Sequence, residues 1–203
     1  MKANTFLGAV IGALICSATA FAVEPGAKAP AFTLKNVKGE KVSLADQKGK
    51  VVVLEWVNFD CPFVHKHYGS GNMQKLQSSY TGKDVVWLSI ASSAEGKEGY
   101  YAPKELGERA AKEGSKASQV LVDADGKVGK EYDAKTTPHM IVIDKEGKVA
   151  YNGAIDSIAT TEVSDLEKAD SYVSKALDAV LAGKPVEKAK TQPYGCGVKY
   201  ASK

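Results

Sequence analysis

The chain has 203 residues, with 27 Lys or Arg against 24 Asp or Glu, and only three cysteines. The nearly balanced charge, with lysines scattered and no basic stripe interleaved with aromatics, argues against a nucleic-acid partner. So few cysteines cannot make the framework of a small stapled domain, and the length allows an ordinary apolar core.

The N-terminus reads as a cleavable export signal over residues 1–22. Lys2 is followed by an apolar run to Ile15 and then by small residues ending in Ala20-Phe21-Ala22. The apolar run is too short for a retained membrane anchor, and no later run is long enough to span a bilayer, so no membrane association is expected after cleavage. The expected location is the periplasm or the exterior. Cys16 lies inside the leader, which leaves Cys61 and Cys196 in the mature chain.

A small hairpin is predicted from Ala31 to Leu44, turning through Asn36–Gly39. Val51–Val57 is almost continuous in β-forming residues, as in a strand covered on both faces. Glu55 is the odd member of that run. It is either a buried proton relay or a residue exposed by local irregularity. Pro62 starts a helix running to about Tyr80, with Gly69-Ser70-Gly71 as a possible break. Val85–Ile90 is a second buried strand. Another helix runs from Pro103 to before Gly114. Gln119–Val122 is a short strand, followed by a turn at Asp123–Gly126 and a short helix through Tyr132. His139–Asp144 and Val149–Tyr151 flank a turn at Lys145–Lys148. A last helix is predicted from Thr161 to Leu181, because Val163, Leu166, Val173, Leu177 and Val180 fall on one stripe. Trp87, Tyr132 and Tyr151 are expected in or at the edge of the core. Strands alternating with helices define an α/β fold.

One stretch concentrates the chemistry. Cys61 follows the Val51–Val57 strand, and His65 and His67 lie within six positions of it, although the chain has only three histidines. Open α/β sheets put reactive groups beyond the carboxyl ends of their strands. A thiol at a helix start faces unpaired backbone N–H groups and the positive end of the helix dipole, which favour its thiolate. His65, four residues on, is expected on the same face as Cys61. Lys66 and His67 are expected to project elsewhere. This reading requires the Cys61 sulfur to be exposed; the alternative is a buried, inert cysteine.

The sequence resembles the thioredoxin-like superfamily, in its exported peroxiredoxin-like (redoxin) branch. The resemblance rests on Pro30–Leu34 (PAFTL), Gly49–Leu54 (GKVVVL), Trp56–Pro62 (WVNFDCP), Thr137–His139 (TPH) and Gly147–Gly153 (GKVAYNG). It implies a central mixed β-sheet flanked by helices, with an N-terminal hairpin, over residues 23–181. Residues 182–203 form a C-terminal tail carrying Cys196. The resemblance further implies that Cys61 is the attacking thiol, that Pro138 follows a cis peptide bond, and that Thr137 aligns a bound peptide or mixed disulfide through its backbone. Two departures from the pattern matter. Val64 stands where a C-x-x-C motif has its second cysteine, and Leu54 and Asn58 replace the Pro and Thr of a peroxide pocket. Asn58 still offers an amide donor to an oxyanion or peroxide oxygen. The only arginine, Arg109, is distant in sequence, and none is expected near Cys61.

Cys196 sits between Gly195 and Gly197, with Tyr194 and Tyr200 placed to pin the segment. It reads as a resolving thiol for Cys61, with a permanent structural bridge and an unpaired cysteine as the alternatives. The expected partners are a thiol or disulfide protein or an external dithiol reductant, with a peroxide as a further substrate. No cofactor is implied. A different function, a metal-binding or partner-binding module, takes Cys61, His65, His139 and Cys196 as a soft-metal set for zinc or copper(I).

Overall fold

The computed structural model describes residues 23–202. The predicted leader and Cys16 lie outside the described residues. A seven-stranded mixed sheet runs in the order β2-β1-β5-β4-β3-β7-β8. Its strands are β1 (Thr33–Asn36), β2 (Lys41–Ser43), β3 (Val51–Trp56), β4 (Val85–Ala91), β5 (Gln119–Val122), β7 (His139–Ile143) and β8 (Val149–Gly153). β3, β4 and β5 are parallel, and β7 runs antiparallel to β3. The expected N-terminal hairpin is β1–β2, which pairs antiparallel and joins the sheet through β5. The helices are α1 (Pro62–Gly69), α2 (Asn72–Thr81), α3 (Pro103–Lys112), α4 (Lys127–Glu131) and α5 (Tyr172–Leu181). None is long and apolar enough to cross a membrane.

The central strand explains the two-sided core. Successive side chains of a strand point to opposite faces. Val51, Val53 and, just beyond the strand, Val57 face one cluster with Trp87, Met140, Val142, Tyr151 and the α5 residues Val173, Ala176 and Leu177. Val52, Leu54 and Trp56 face the other, with Leu88, Ile90, Leu121, Ile141, Val128 and Tyr132. Trp87, Tyr132 and Tyr151 are fully buried.

Two predicted helices are interrupted. Ser70 Oγ donates to the carbonyls of Lys66 and His67. Gly71 then takes a left-handed φ of 78°, so one expected helix becomes α1 and α2. The helix predicted over Thr161–Leu181 is a 3-10 turn at Val163–Glu167 followed by α5. Ser171 caps α5 by accepting from Ser174 N–H, and Tyr172 N–H donates to Ile155 O, so the chain re-enters a helix only there. Val163, placed by its spacing on the buried stripe, is instead 53% exposed. A run of apolar spacing does not reveal an intervening backbone anchor.

After α5 the chain returns along the sheet edge. Asn152 N–H donates to Ala189 O, and Thr191 N–H donates to Asn152 O. Thr191 Oγ1 accepts from Ala154 N–H at 2.9 Å. The tail then forms β9 (Cys196–Gly197) against β6 (Thr136–Thr137) in a separate antiparallel pair.

Candidate active site

Cys61 is the residue before α1, in an extended conformation, with Pro62 in the first turn. Proline fits there because the first N–H groups of a helix lack intrahelical acceptors. The turn leading in is closed by Cys61 N–H donating to Asn58 O at 3.0 Å. Asn58 Oδ1 accepts from Asp60 N–H at 2.9 Å. Asn58 is buried, and a Cβ on Gly99 would fall on its amide, so the side chain shapes the turn. No hydrogen bond joins it to the Cys61 sulfur.

The sulfur faces the loop before β7. Cys61 Sγ–H donates to Thr137 O at 3.1 Å. The Thr137–Pro138 peptide bond is cis, as the resemblance implies. The next strand pair brings in the tail, with Thr137 opposite Cys196 and Thr136 opposite Gly197. Two thiols far apart in sequence are therefore brought against each other at this loop. Both are free. Burial, and then the adjacent Cys61 thiol, push Cys196 up to about 12. Cys196 is therefore held as a thiol at neutral pH and is a poor first attacker.

One expectation fails in an instructive way. Cys61 is not exposed: its accessible surface is 0%. The Cys196 thiol lies against the Cys61 thiol, and Phe63 and Tyr194 belong to the same apolar cluster, so part of its cover comes from the tail. The sequence places the thiol at a strand end but does not show what lies over it.

His65 is exposed, and its ring lies beside Gly69. Cys61 is an extended cap residue, so helical four-residue spacing does not bring the two side chains together. The reverse holds for its neighbours: Lys66 and His67 are buried. The signal for His67 was present, since Val64, His67 and Tyr68 share one helical stripe. Lys66 gives no such signal. Its Nζ donates to Ile158 O at 3.1 Å and lies 3.9 Å from Asp156 Oδ2. His67 Nδ1 faces Asn72 Nδ2 at 2.9 Å, which leaves Nε2–H directed at the Tyr194 hydroxyl, 3.4 Å away. That tautomer is neutral, in keeping with burial lowering His67 to about 4. Tyr194 donates to Asp156 Oδ1 at 2.5 Å and packs edge-on against Phe63. Tyr194 thus pins the tail to α1, and Tyr200 pins it further on by donating to Ala134 O at 2.8 Å.

Glu55 is fully buried in a regular strand. Its carboxylate accepts from Trp87 Nε1, Ser89 Oγ, Gln77 Nε2 and Tyr68 OH. Burial raises its pKa despite those donors. None of its partners is Cys61. Arg109 corrects another expectation. It donates to Phe59 O at 3.2 Å and reaches Asp60, two and one residues before Cys61. Sequence distance hid this approach because α3 folds back over the loop.

The soft-metal set is not brought together. His139 is buried on the Trp56 side of the sheet, with Nε2 on Asn152 Oδ1 at 2.7 Å and Nδ1 accepting from Lys135 N–H. Among the described residues, no group of three or more His, Cys, Asp and Glu side chains has a metal-binding arrangement.

A strand-to-helix cysteine beside a cis-proline loop, on a mixed sheet of this order, defines a thioredoxin-like fold carrying a proximal thiol pair. The Redoxin family model matches residues 24–169, more than half of the chain, and the protein belongs to that family. It is 31% identical over 128 residues to the thioredoxin-like protein YneN of Bacillus subtilis, covering 63% of this chain and 69% of that one. It is 30% identical over 161 residues to the thiol-disulfide oxidoreductase ResA of Bacillus thuringiensis, covering 73% and 87%. A crystal structure of an uncharacterized conserved protein from Geobacillus kaustophilus superposes with a TM-score of 0.76 at 28% identity, over 89% of this chain and 94% of that one.

Proposed function

We propose that the protein is an exported thiol-disulfide oxidoreductase in which Cys61 attacks and Cys196 resolves. One observation carries this reading: Cys196 pairs with Thr137, and the Thr137 carbonyl holds the Cys61 thiol. The Redoxin assignment and the oxidoreductase name of the ResA relative are consistent with it. Export rests on the leader-like residues 1–22.

In this mechanism the Cys61 thiolate attacks one sulfur of a substrate disulfide. A mixed disulfide forms and the other substrate sulfur leaves as a thiolate. Val64 removes the resolving position found in a C-x-x-C motif. Cys196 supplies that thiol from the tail: it gives its proton to a departing substrate thiolate, and its sulfur then attacks the Cys61 sulfur and expels the second substrate thiolate. The substrate gains two electrons, the enzyme keeps a Cys61–Cys196 disulfide, and an external dithiol returns it to the dithiol form. Thr137 is the positioning residue, through its carbonyl and its strand pairing. Disulfide exchange is preferred over peroxide reduction because Leu54 and Asn58 replace the Pro and Thr of a peroxide pocket and Arg109 is engaged by Phe59 O and Asp60.

Parallel turnover of a disulfide and a peroxide by the wild type, Cys61→Ser and Cys196→Ser tests the assignment. Cys61→Ser should abolish disulfide turnover, and Cys196→Ser should accumulate a mixed disulfide on Cys61. Wild-type turnover by Cys61→Ser would end the catalytic account. Peroxide turnover exceeding disulfide turnover would reverse the substrate preference.

A further inference from the structure

We propose that residues Tyr194–Tyr200 are an internal strand seated on the edge where a substrate polypeptide would pair, so that a cysteine-bearing extended segment reaches Cys61 only by displacing it. This inference rests on the functional reading above and adds to it the way access to Cys61 is controlled. Its starting point is the combination of a fully buried Cys61 with an edge pair only two residues long. β6 and β9 lie outside the main sheet, and so short a pair is marginal alone.

The contacts that hold the strap cluster at its ends. At one end Tyr194 reaches Asp156 and His67 and packs on Phe63. At the other, Val198 N–H donates to Lys135 O, Lys199 O accepts from Ala94 N–H, and Tyr200 donates to Ala134 O. The Tyr200 ring lies close over Gly126 and Gly129, where a Cβ on either would collide with it. Between these anchors the backbone is drawn tightly onto the cis-proline loop. Gly195 has φ 133°, and a Cβ there would stand 2.1 Å from Thr137 O. Only glycine permits that approach.

The strap presents what a substrate would present: an extended antiparallel segment with a cysteine opposite Thr137. A displacing polypeptide satisfies the same edge groups by main-chain pairing, which is sequence-tolerant. A compact disulfide unable to offer an extended strand gains nothing from that edge. The segment that resolves the reaction thus also governs entry to it.

Alkylation of Cys61 tests this without any turnover. In Cys196→Ser, iodoacetamide labelling of Cys61 is followed by peptide mapping, alone and combined with Gly195→Ala, beside thermal melts of each protein. With the strap intact, Cys61 should be strongly protected relative to the urea-unfolded chain. Gly195→Ala should speed labelling by about 5- to 150-fold, the population change expected of local backbone strain, with the main melt retained. Should the melt fall, Tyr200→Phe replaces it, removing only the bond to Ala134 and speeding labelling by about 2- to 12-fold. Labelling of intact Cys196→Ser at the unfolded rate, or no acceleration in the variant with a retained melt, overturns the proposal. A protected Cys61 in a protein without Cys61-dependent turnover would remove the catalytic reading and leave the strap. Cys61-dependent turnover with an unprotected thiol would do the opposite.

Discussion

Glu55 offers the sharpest quantitative test of the core beneath the site. Its Oε2 accepts from Trp87 Nε1 at 2.7 Å, Ser89 Oγ at 2.8 Å and Gln77 Nε2 at 3.1 Å, while Oε1 accepts from Tyr68 OH at 2.9 Å. Glu55→Ala strips acceptors from these donors. Gln77 retains the Tyr68 oxygen at 3.0 Å, so the main losses fall on Trp87, Ser89 and Tyr68. At ~1–3 kcal/mol for each buried polar group left unpaired, the cost is ~3–6 kcal/mol after allowing for relaxation around the smaller side chain. For a domain of this size that lowers Tm by roughly 10–20 °C.

Glu55→Gln behaves differently. Its amide oxygen takes the site of three donors, and its NH2 donates to the Tyr68 oxygen, so only the Tyr68 O–H loses its acceptor. The variant imitates the protonated acid and should keep most of its stability. The raised pKa of the wild-type carboxyl sets the sign of the pH dependence. From the model-compound value of 4.5 up to the folded pKa, the unfolded chain loses this proton while the folded chain keeps it. Stability therefore falls as pH rises through that window, and the loss is constant above it. Thermal melts of wild type and Glu55→Gln across pH 4–8 should show the variant gaining on the wild type as pH rises, then levelling off. A flat difference, or one of opposite sign, would refute the assignment of burial as the dominant influence.

Two further predictions concern the loop and helix around Cys61. His67 is lowered to about 4 by burial, so below 6.5 the unfolded chain takes up a proton that the folded chain refuses. Stability should fall by on the order of 3 kcal/mol between pH 6.5 and 4 relative to His67→Gln, measured by denaturant titration at each pH; a constant difference would contradict a buried neutral imidazole. Thr137 Oγ1 is buried without a hydrogen-bond partner. Thr137→Val should therefore leave stability unchanged or raise it by up to ~1 kcal/mol while preserving the carbonyl contact to Cys61, and a clear loss in the melt would mean that the hydroxyl has a partner in solution.

Much of this protein was determined by local sequence. The β-forming run Val51–Trp56, interrupted only by Glu55, had to be covered on both faces, because its apolar side chains alternate across the sheet. Pro62 after Cys61 fitted the start of a helix and no later helical position, since proline is tolerated in the first turn and lacks the N–H a later position would need. Asn36–Gly39 made the first turn, and the glycines and tyrosines flanking Cys196 marked the tail as a segment able to lie tightly against the body. What the chain does at long range was decided only by the tertiary structure. Arg109 reaches Phe59 because α3 packs back over the loop, and Lys66 and His67 are buried because Asp156 and Tyr194 arrive from remote segments to meet them. The cover over Cys61 is of the same kind. Propensity and periodicity report what a few neighbouring residues prefer, whereas the burial of a sulfur depends on which distant strand pairs with Thr137, and that pairing is a property of the assembled sheet edge.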